Sequence, residues 1–248
     1  MRTEGGDAAG WAVLHDAVAG LRAALGDRLV AVYAVGSLTH GGFAPDVSDV
    51  DGVVIVERCD ASAAAAVEAV VEDVRARGGG ALAERLSLFW GDWATFGAPG
   101  PEARLPPIVR RDLLDSGIAL HGTAPPAGLL RPTQDDLVRE TAAFAAQWLA
   151  REGIPDPDAL LRAGRRATTK MVLFPVRFLA TVEAGLAGSN DEAVAWYVAA
   201  GRPHAPLAAA SLRWRTEPID DPAAARRLLA DLPALYDEAL TALRARPR

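Results

Sequence analysis

Residues 29–56 read LVAVYAVGSLTHGGFAPDVSDVDGVVIV, two apolar segments separated by a polar loop. Leu29–Val35 is apolar and β-branched, which is typical of a buried strand. It ends at Gly36-Ser37, and a glycine-rich turn segment follows. The second apolar segment predicts another strand over Val47–Val56. The stretch therefore indicates two core strands with a polar loop at one end of their sheet.

Two carboxylates lie near the start of the second predicted strand. Asp49 and Asp51 are two residues apart, so on a strand their side chains share one face, with origins about 6–7 Å apart. Two carboxylates this close repel each other when both are ionised. A bound Mg²⁺ removes that conflict, since it prefers carboxylate oxygens together with water and substrate phosphates. The pair Asp49 and Asp51 is therefore the candidate metal site.

The end of the first strand suits phosphate. Backbone N–H groups at the start of a helical turn hold phosphate oxygens, and Gly36 permits close approach. Ser37 adds a hydroxyl donor. A Gly-Ser pair or an Asp-x-Asp pair alone is weak evidence. The order strand, Gly-Ser, loop and Asp-x-Asp on a second strand is a more specific pattern and indicates phosphoryl or nucleotidyl transfer.

Periodicity along the first half of the chain predicts alternating helices and strands. The first ten residues are interpreted as a loose tail. Predicted helices span Trp11–Leu25, Ala63–Arg77 and Pro106–Ser116, and further strands span Arg85–Trp90 and Ile118–His121.

The second half of the chain is helical in pattern, and a Pro- and Gly-containing segment at Gly122–Thr133 marks the boundary. The predicted domains are 1–125 and 126–248. The predicted helices are Gln134–Arg151, Asp158–Ala187 (kinked or split at Pro175), Asn190–Ala200, Pro203–Trp214 and Pro222–Arg244. The fold class predicted is α+β, a small mixed sheet with flanking helices followed by an all-helical domain.

Composition excludes several classes of protein. The net charge of −6 disfavours a nonspecific nucleic-acid binder and suits a small, even cationic, substrate. No apolar run is long enough to cross a bilayer, and the first residues contain no secretory signal. Cys59 is the only cysteine, which rules out an internal disulfide. We therefore expect a cytoplasmic protein without nucleic-acid or membrane partners, while its oligomeric state stays open.

The stretch from Gly36 to Asp51 resembles the signature of the polymerase-β nucleotidyltransferase superfamily, and within it the bacterial aminoglycoside adenylyltransferases. The segments at 113–122, 176–185 and 191–197 are similar to that family's catalytic-domain end and helical domain. The resemblance implies Mg²⁺, ATP as co-substrate and a small hydroxylated acceptor such as an antibiotic. It also implies that Asp49 and Asp51 bind Mg²⁺, and that Gly36, Ser37 and Ser48 contact the nucleotide phosphates.

The sequence departs from the family pattern at the third carboxylate, which family members carry on the next strand as metal ligand or general base. The matching position here is Arg85, which is not an acid. Glu84 is the candidate replacement, although it requires an irregular strand entry. It is equally interpreted as a solvated residue before the strand. Asp92 has the same parity as Glu84 but lies beyond Gly91.

A second departure concerns a lysine that reaches the triphosphate in related enzymes. Asn190 stands at that position and brings no charge; its alternative role is an N-cap. Lys170, the only lysine of the chain, would compensate from another helix, with Arg165 and Arg166 beside it. His40 has no partner predictable from the sequence, so it is interpreted as a turn or packing residue.

Two functions compete on this evidence. The first is transfer of AMP from ATP to a hydroxyl group of a small molecule, with Asp49, Asp51 and Glu84 as the catalytic set and Lys170 and Asn190 helping to hold the nucleotide. The second is a catalytically impaired descendant that binds nucleotide or a partner protein, which the absence of the third acid and of the lysine favours. A minimal nucleotidyltransferase acting on protein or RNA is a third option, but such proteins are far shorter.

Overall fold

A computed structural model describes residues 4–78, 80–98 and 104–245. The chain divides into two compact units, Met1–Pro132 and Thr133–Arg248. The domain limit predicted from the sequence lies after residue 125, and the role of each unit stays a prediction.

The first unit contains a four-stranded mixed sheet. Its strands are β1 (Leu29–Val35), β2 (Val50–Val56), β3 (Leu86–Gly91) and β4 (Ile118–His121), in the order β3-β2-β1-β4. β1 runs antiparallel to both of its neighbours, whereas β2 and β3 are parallel. The end of β1 and the starts of the other three strands therefore meet at one edge of the sheet. The mixed sheet, with a helical second unit, confirms the predicted fold class.

Helices cover both faces of this sheet. The helices of the unit are α1 (Glu4–Leu25), α2 (Ser37–His40), α3 (Ala61–Gly78), α4 (Ala81–Glu84) and α5 (Pro107–Ser116). On one face, Val32 and Val54 pack with apolar residues of α1 and α3. On the other face, Tyr33 and Val53 pack with apolar residues of α5. The two central strands, β1 and β2, are buried on both sides over most of their length, which explains their largely apolar sequences, whereas β4 at the side of the sheet is partly exposed.

In the first unit, two boundaries differ clearly from the sequence prediction, whereas the others agree within about two residues. Helix α1 begins at Glu4, so the described part of the first ten residues is helical rather than a loose tail. β2 begins at Val50 rather than Val47, because the preceding residues form a turn. In that turn the N–H groups of Val47 and Ser48 both donate to the carbonyl oxygen of Ala44, at 3.0 and 2.8 Å.

In the second unit, the described residues form helices and connecting turns around one apolar core. The helices are α6 (Gln134–Glu152), α7 (Pro157–Ala163), α8 (Arg165–Ala184), α9 (Asn190–Ala199), α10 (Ala205–Arg213), α11 (Pro222–Leu229) and α12 (Leu232–Arg244). None of the helices described in either unit is long and apolar enough to span a membrane.

Two predicted helices are each divided in the structure. The break in the first lies at Gly164, whose φ of 89° and ψ of 177° are open only to glycine. Pro175, where we predicted the kink or split, lies inside α8. The second is interrupted at Ala230 and Asp231. Pro233 lies in the first turn of α12, where backbone nitrogens form no hydrogen bond within the helix, so the missing N–H of proline costs nothing there.

The packing of the second unit's core predicts that two leucines of α12 contribute unequally to stability. Leu235 is fully buried, whereas Leu240 is only half-buried at the edge of the same core. We expect Leu235→Ala to lower the free energy of unfolding by about 2–5 kcal/mol, because it leaves a cavity. Leu240→Ala is the matched control, and chemical denaturation should show a clearly smaller loss. Equal losses for the two variants would contradict the burial of α12 described here.

Candidate active site

Asp51 lies on β2 at the sheet edge where β1 ends. It is in register with Val35 on β1 and with Ser87 on β3. Val53 and Ile55, two and four positions further along β2, belong to the core beneath α5. Because side chains alternate along a strand, Asp51 lies on that same face. The carboxylate is half-buried. Two neighbouring strands and the core beneath α5 therefore fix its position.

Gly36 is the backbone feature that this carboxylate requires. Its φ of 72° and ψ of −148° form the bend between β1 and α2. A side chain here would place its Cβ 2.8 Å from Oδ2 of Asp51, so the carboxylate would have to move away from the turn if residue 36 were not glycine. The N–H groups of Thr39 and His40 close the turn on the carbonyl oxygen of Gly36. Ser37 thus begins a helical turn beside the Asp51 carboxylate.

Asp112 of α5 binds the same turn from the side. Its Oδ2 accepts a hydrogen bond from the N–H of Gly36 at 2.8 Å, and its Oδ1 lies 2.6 Å from Nε2 of His40. The hydroxyl of Ser116, one helical turn further on, also donates to Oδ1. Burial opposes ionisation of Asp112, but the hydrogen bonds from His40, Ser116 and Gly36 outweigh it and hold the pKa of this carboxyl below its usual value.

Asp49 does not lie on β2 as we predicted but immediately precedes it. Its position is set by the next peptide, because the N–H of Val50 donates to the carbonyl oxygen of Arg85 at 3.1 Å. Ser48, also a predicted phosphate ligand, is buried, and its hydroxyl accepts a hydrogen bond from the N–H of Ala44 at 2.9 Å. A phosphate contact by Ser48 stays a prediction.

The acids present suit Mg²⁺ that is bound together with a nucleotide. Within the described residues, no group of three or more His, Cys, Asp or Glu side chains is placed to hold a metal ion. Mg²⁺ in nucleotide sites uses one or two carboxylates and takes its other ligands from phosphates and water. A pair of carboxylates such as Asp49 and Asp51 fits that requirement, and their binding of Mg²⁺ stays a prediction.

The start of β3 carries the candidate third acid. Glu84 is the exposed last residue of α4, so the strand entry is helical. The guanidinium of Arg85 is directed to the backbone: Nε donates to the carbonyl oxygen of Ala81 at 2.7 Å and Nη2 to that of Pro45 at 2.5 Å. Glu84 as general base stays a prediction.

Asp92 is unsuited to the role of base. Because β3 runs parallel to β2 and Ser87 is in register with Asp51, Asp92 lies beyond the opposite end of the strand, about 16 Å further along. Its carboxylate accepts hydrogen bonds from the N–H of Cys59 and from both the N–H and hydroxyl of Thr95, each at 2.8 Å. These bonds outweigh burial and lower the pKa of Asp92, which acts as a structural cap.

The remaining predicted residues lie in the second unit. Lys170 is on α8, with Nζ 5.4 Å from the centre of the Phe174 ring. Asn190 is the first residue of α9 rather than its cap; the side chain of Ser189 accepts the capping hydrogen bond from the N–H of Glu192. Nucleotide contacts by Lys170 and Asn190 stay predictions.

The sequence reasoning missed two residues of the site. It gave His40 no partner and assigned no role to Asp112. The two are 72 positions apart in the sequence. The sequence did contain one indication: Asp112 and Ser116 are four positions apart, which puts two polar side chains on the same face of the predicted helix. That spacing does not identify the loop that they contact.

Comparison with known proteins shows the fold. The structure is similar to that of the spectinomycin adenyltransferase AAD(9) from Enterococcus faecialis, which was crystallised with ATP and spectinomycin. The TM-score is 0.63 at 15% sequence identity, over 92% of this chain and 99% of that one. No protein-family model matches the chain, and no curated protein matches it in sequence. The chain thus has the same overall fold as that adenyltransferase.

The contact between residue 36 and Asp51 predicts the outcome of one substitution. Gly36→Ala should lower the free energy of unfolding by about 1–3 kcal/mol through backbone strain, and further through the clash with the carboxylate. Gly128→Ala is the matched control, because Gly128 also has a positive φ of 86° but has nothing within 4 Å of an added Cβ. Urea denaturation should show the larger loss for Gly36→Ala.

The double variant Gly36→Ala with Asp51→Ala tests whether the clash with the carboxylate causes part of this loss of stability. Removal of the carboxylate should recover the part of the loss that comes from the clash. Fully additive losses would show that the two positions do not interact.

Proposed function

We propose that this chain is a Mg²⁺-dependent nucleotidyltransferase that transfers AMP from ATP to a hydroxyl group of a small molecule. One observation carries the proposal: the Asp51 carboxylate lies against the Gly36 bend, next to the helical turn that Ser37 begins. This brings a candidate metal ligand and phosphate-binding groups together at one sheet edge. The likeness to an adenyltransferase crystallised with ATP supports it at the level of the fold.

Each group at this edge has a role in the proposed reaction. The hydroxyl and N–H of Ser37 bind phosphate oxygens, while the N–H of Gly36 is already bound by Asp112. Asp49 and Asp51 hold Mg²⁺, which when bound neutralises phosphate charge and aligns the nucleotide. The acceptor hydroxyl oxygen forms a bond to the α-phosphorus, and the bond to pyrophosphate breaks.

The acceptor hydroxyl must lose its proton as the new bond forms. Glu84 is the candidate base, because the start of β3 adjoins the residues next to Asp49 and Asp51. In this proposal the proton passes to the Glu84 carboxylate and then to water.

The proposed acceptor is a hydroxylated, cationic small molecule of the aminoglycoside type. An overall charge of −6 favours a cationic ligand over a polyanion. The comparison protein was crystallised with spectinomycin, itself a small-molecule antibiotic. In the same proposal the helical domain adds Lys170 and Asn190 to the binding of the triphosphate. Antibiotic resistance is the corresponding biological role.

A second function has one specific observation in its favour. Where the family carries an acid, Arg85 points its guanidinium to the backbone carbonyls of Ala81 and Pro45. A cation in place of a base suits nucleotide binding without transfer. The two functions agree on ATP binding and differ only in product formation.

The metal ligands give the first test of function. Wild-type protein is incubated with each labelled nucleoside triphosphate, Mg²⁺ and a panel of hydroxylated antibiotics, and products are identified by mass. We expect an adenylylated product, and a loss of turnover of about 10²-fold or more in Asp49→Asn and Asp51→Asn. Asp73→Asn on α3, an exposed acid paired with Arg77, is the matched control and should retain activity. Binding of ATP without any product would favour the second function, and unchanged turnover in both variants would refute the metal assignment.

The base assignment predicts a separation of turnover from binding. Glu84→Gln should reduce turnover by about 10²-fold or more, because the amide cannot accept the proton, while the affinity for ATP is retained. Glu72→Gln, an exposed glutamate of α3, serves as the control. If Glu84→Gln retains full activity in the mass assay, the base is another group.

A further inference from the structure

A polar cluster beside the proposed nucleotide site is formed by α5 and residues 36–40, the Gly-Ser turn. Oδ2 of Asp112 binds the N–H of Gly36 at the first end of the turn, and Oδ1 binds Nε2 of His40 at its last residue. Nε2 of His40 also lies 3.0 Å from the hydroxyl of Ser116. One carboxylate thus binds both ends of the turn, and Ser37 lies between those two ends.

The turn has further support from the same helix. The hydroxyl of Thr39 donates to the carbonyl oxygen of Gly36 at 2.9 Å and lies 3.4 Å from the hydroxyl of Ser116. The side chains of His40 and Asp112 are 14% and 13% exposed, so water competes little for these bonds. A charged acceptor with donors of this kind forms stronger hydrogen bonds than a neutral one.

The topology explains why α5 is the helix in contact. α5 ends at Ser116 and β4 begins at Ile118, which pairs with Ala34 near the end of β1. The last turn of α5 is thereby brought to the sheet edge that carries the Gly-Ser turn. The Asp112 carboxylate forms its hydrogen bonds with Gly36, His40 and Ser116.

We propose that Asp112 is a positioning residue of the nucleotide site: by binding Gly36 and His40 it holds Ser37 in the conformation that receives phosphate. The inference rests on the proposed function, because it needs a nucleotide at Ser37. With the N–H of Gly36 committed to Asp112, the phosphate contacts of the turn come from Ser37 and the residue after it. His40 and Ser116 act through Asp112 in the same network.

The variant that tests this role is Asp112→Asn. An amide has only one acceptor oxygen, so it cannot accept from both Gly36 and His40 as the two carboxylate oxygens do. Asp115→Asn is the matched control: it lies on the same helix and is bound by Arg111 and Arg131 instead. Two readouts are measured for each: amide hydrogen exchange over residues 36–41 without ligand, and the Kd for ATP with Mg²⁺. Asp112→Asn should speed exchange in the turn and weaken ATP binding by about tenfold. Asp115→Asn should change neither.

A double-mutant cycle separates positioning from general destabilisation. If Asp112 acts through the turn, the effects of Asp112→Asn and Ser37→Ala on the Kd for ATP should be less than additive, whereas Asp115→Asn and Ser37→Ala should be additive. Unchanged exchange in Asp112→Asn overturns the proposal, as does faster exchange with wild-type ATP affinity. Should wild-type protein bind no ATP, the proposed function fails, and the exchange measurement still decides whether Asp112 holds the turn.

Discussion

The contact between the Asp51 carboxylate and the backbone of Gly36 is the constraint on which the site depends. A Cβ at position 36 would lie 2.8 Å from Oδ2 of Asp51, so the carboxylate can lie this close to the turn because residue 36 is glycine. The antiparallel pairing of β1 and β2 supplies this approach, because Val35 and Asp51 are in register where the first strand ends. The sheet therefore fixes the carboxylate, and glycine removes the obstacle.

The other strands extend the same edge. β3 is parallel to β2, so its first residues lie beside Asp51, and the carbonyl oxygen of Arg85 holds the peptide after Asp49. β4 brings the last turn of α5 to the opposite side of β1. Three separated segments of the chain thus meet at one end of the sheet, while apolar helices cover both of its faces.

Much of this could be predicted because it is local. The apolar runs of β1 and β4 gave the observed bounds, and the alternation of Leu86, Leu88 and Trp90 matches the face that packs on α1 and α3. The errors have local causes too. The turn at Ala44 makes β2 begin later than predicted, and the predicted long helix ends at Gly164, whereas Pro175 lies within α8. What sequence could not give is pairing over long distances, above all that of His40 with Asp112.

The distinction between a transferase and a binding protein depends on the first residues of β3. Ser87 is in register with Asp51, but a serine hydroxyl is too weak a base to take the proton. Arg85 carries a positive charge and is bonded to two carbonyl oxygens. Between Ala81 and Gly91 the only carboxylate is that of Glu84, at the end of a helical turn rather than on the strand. In the proposed reaction it is the helical entry of β3 that presents Glu84 to the acceptor, a geometry that a regular strand would not supply.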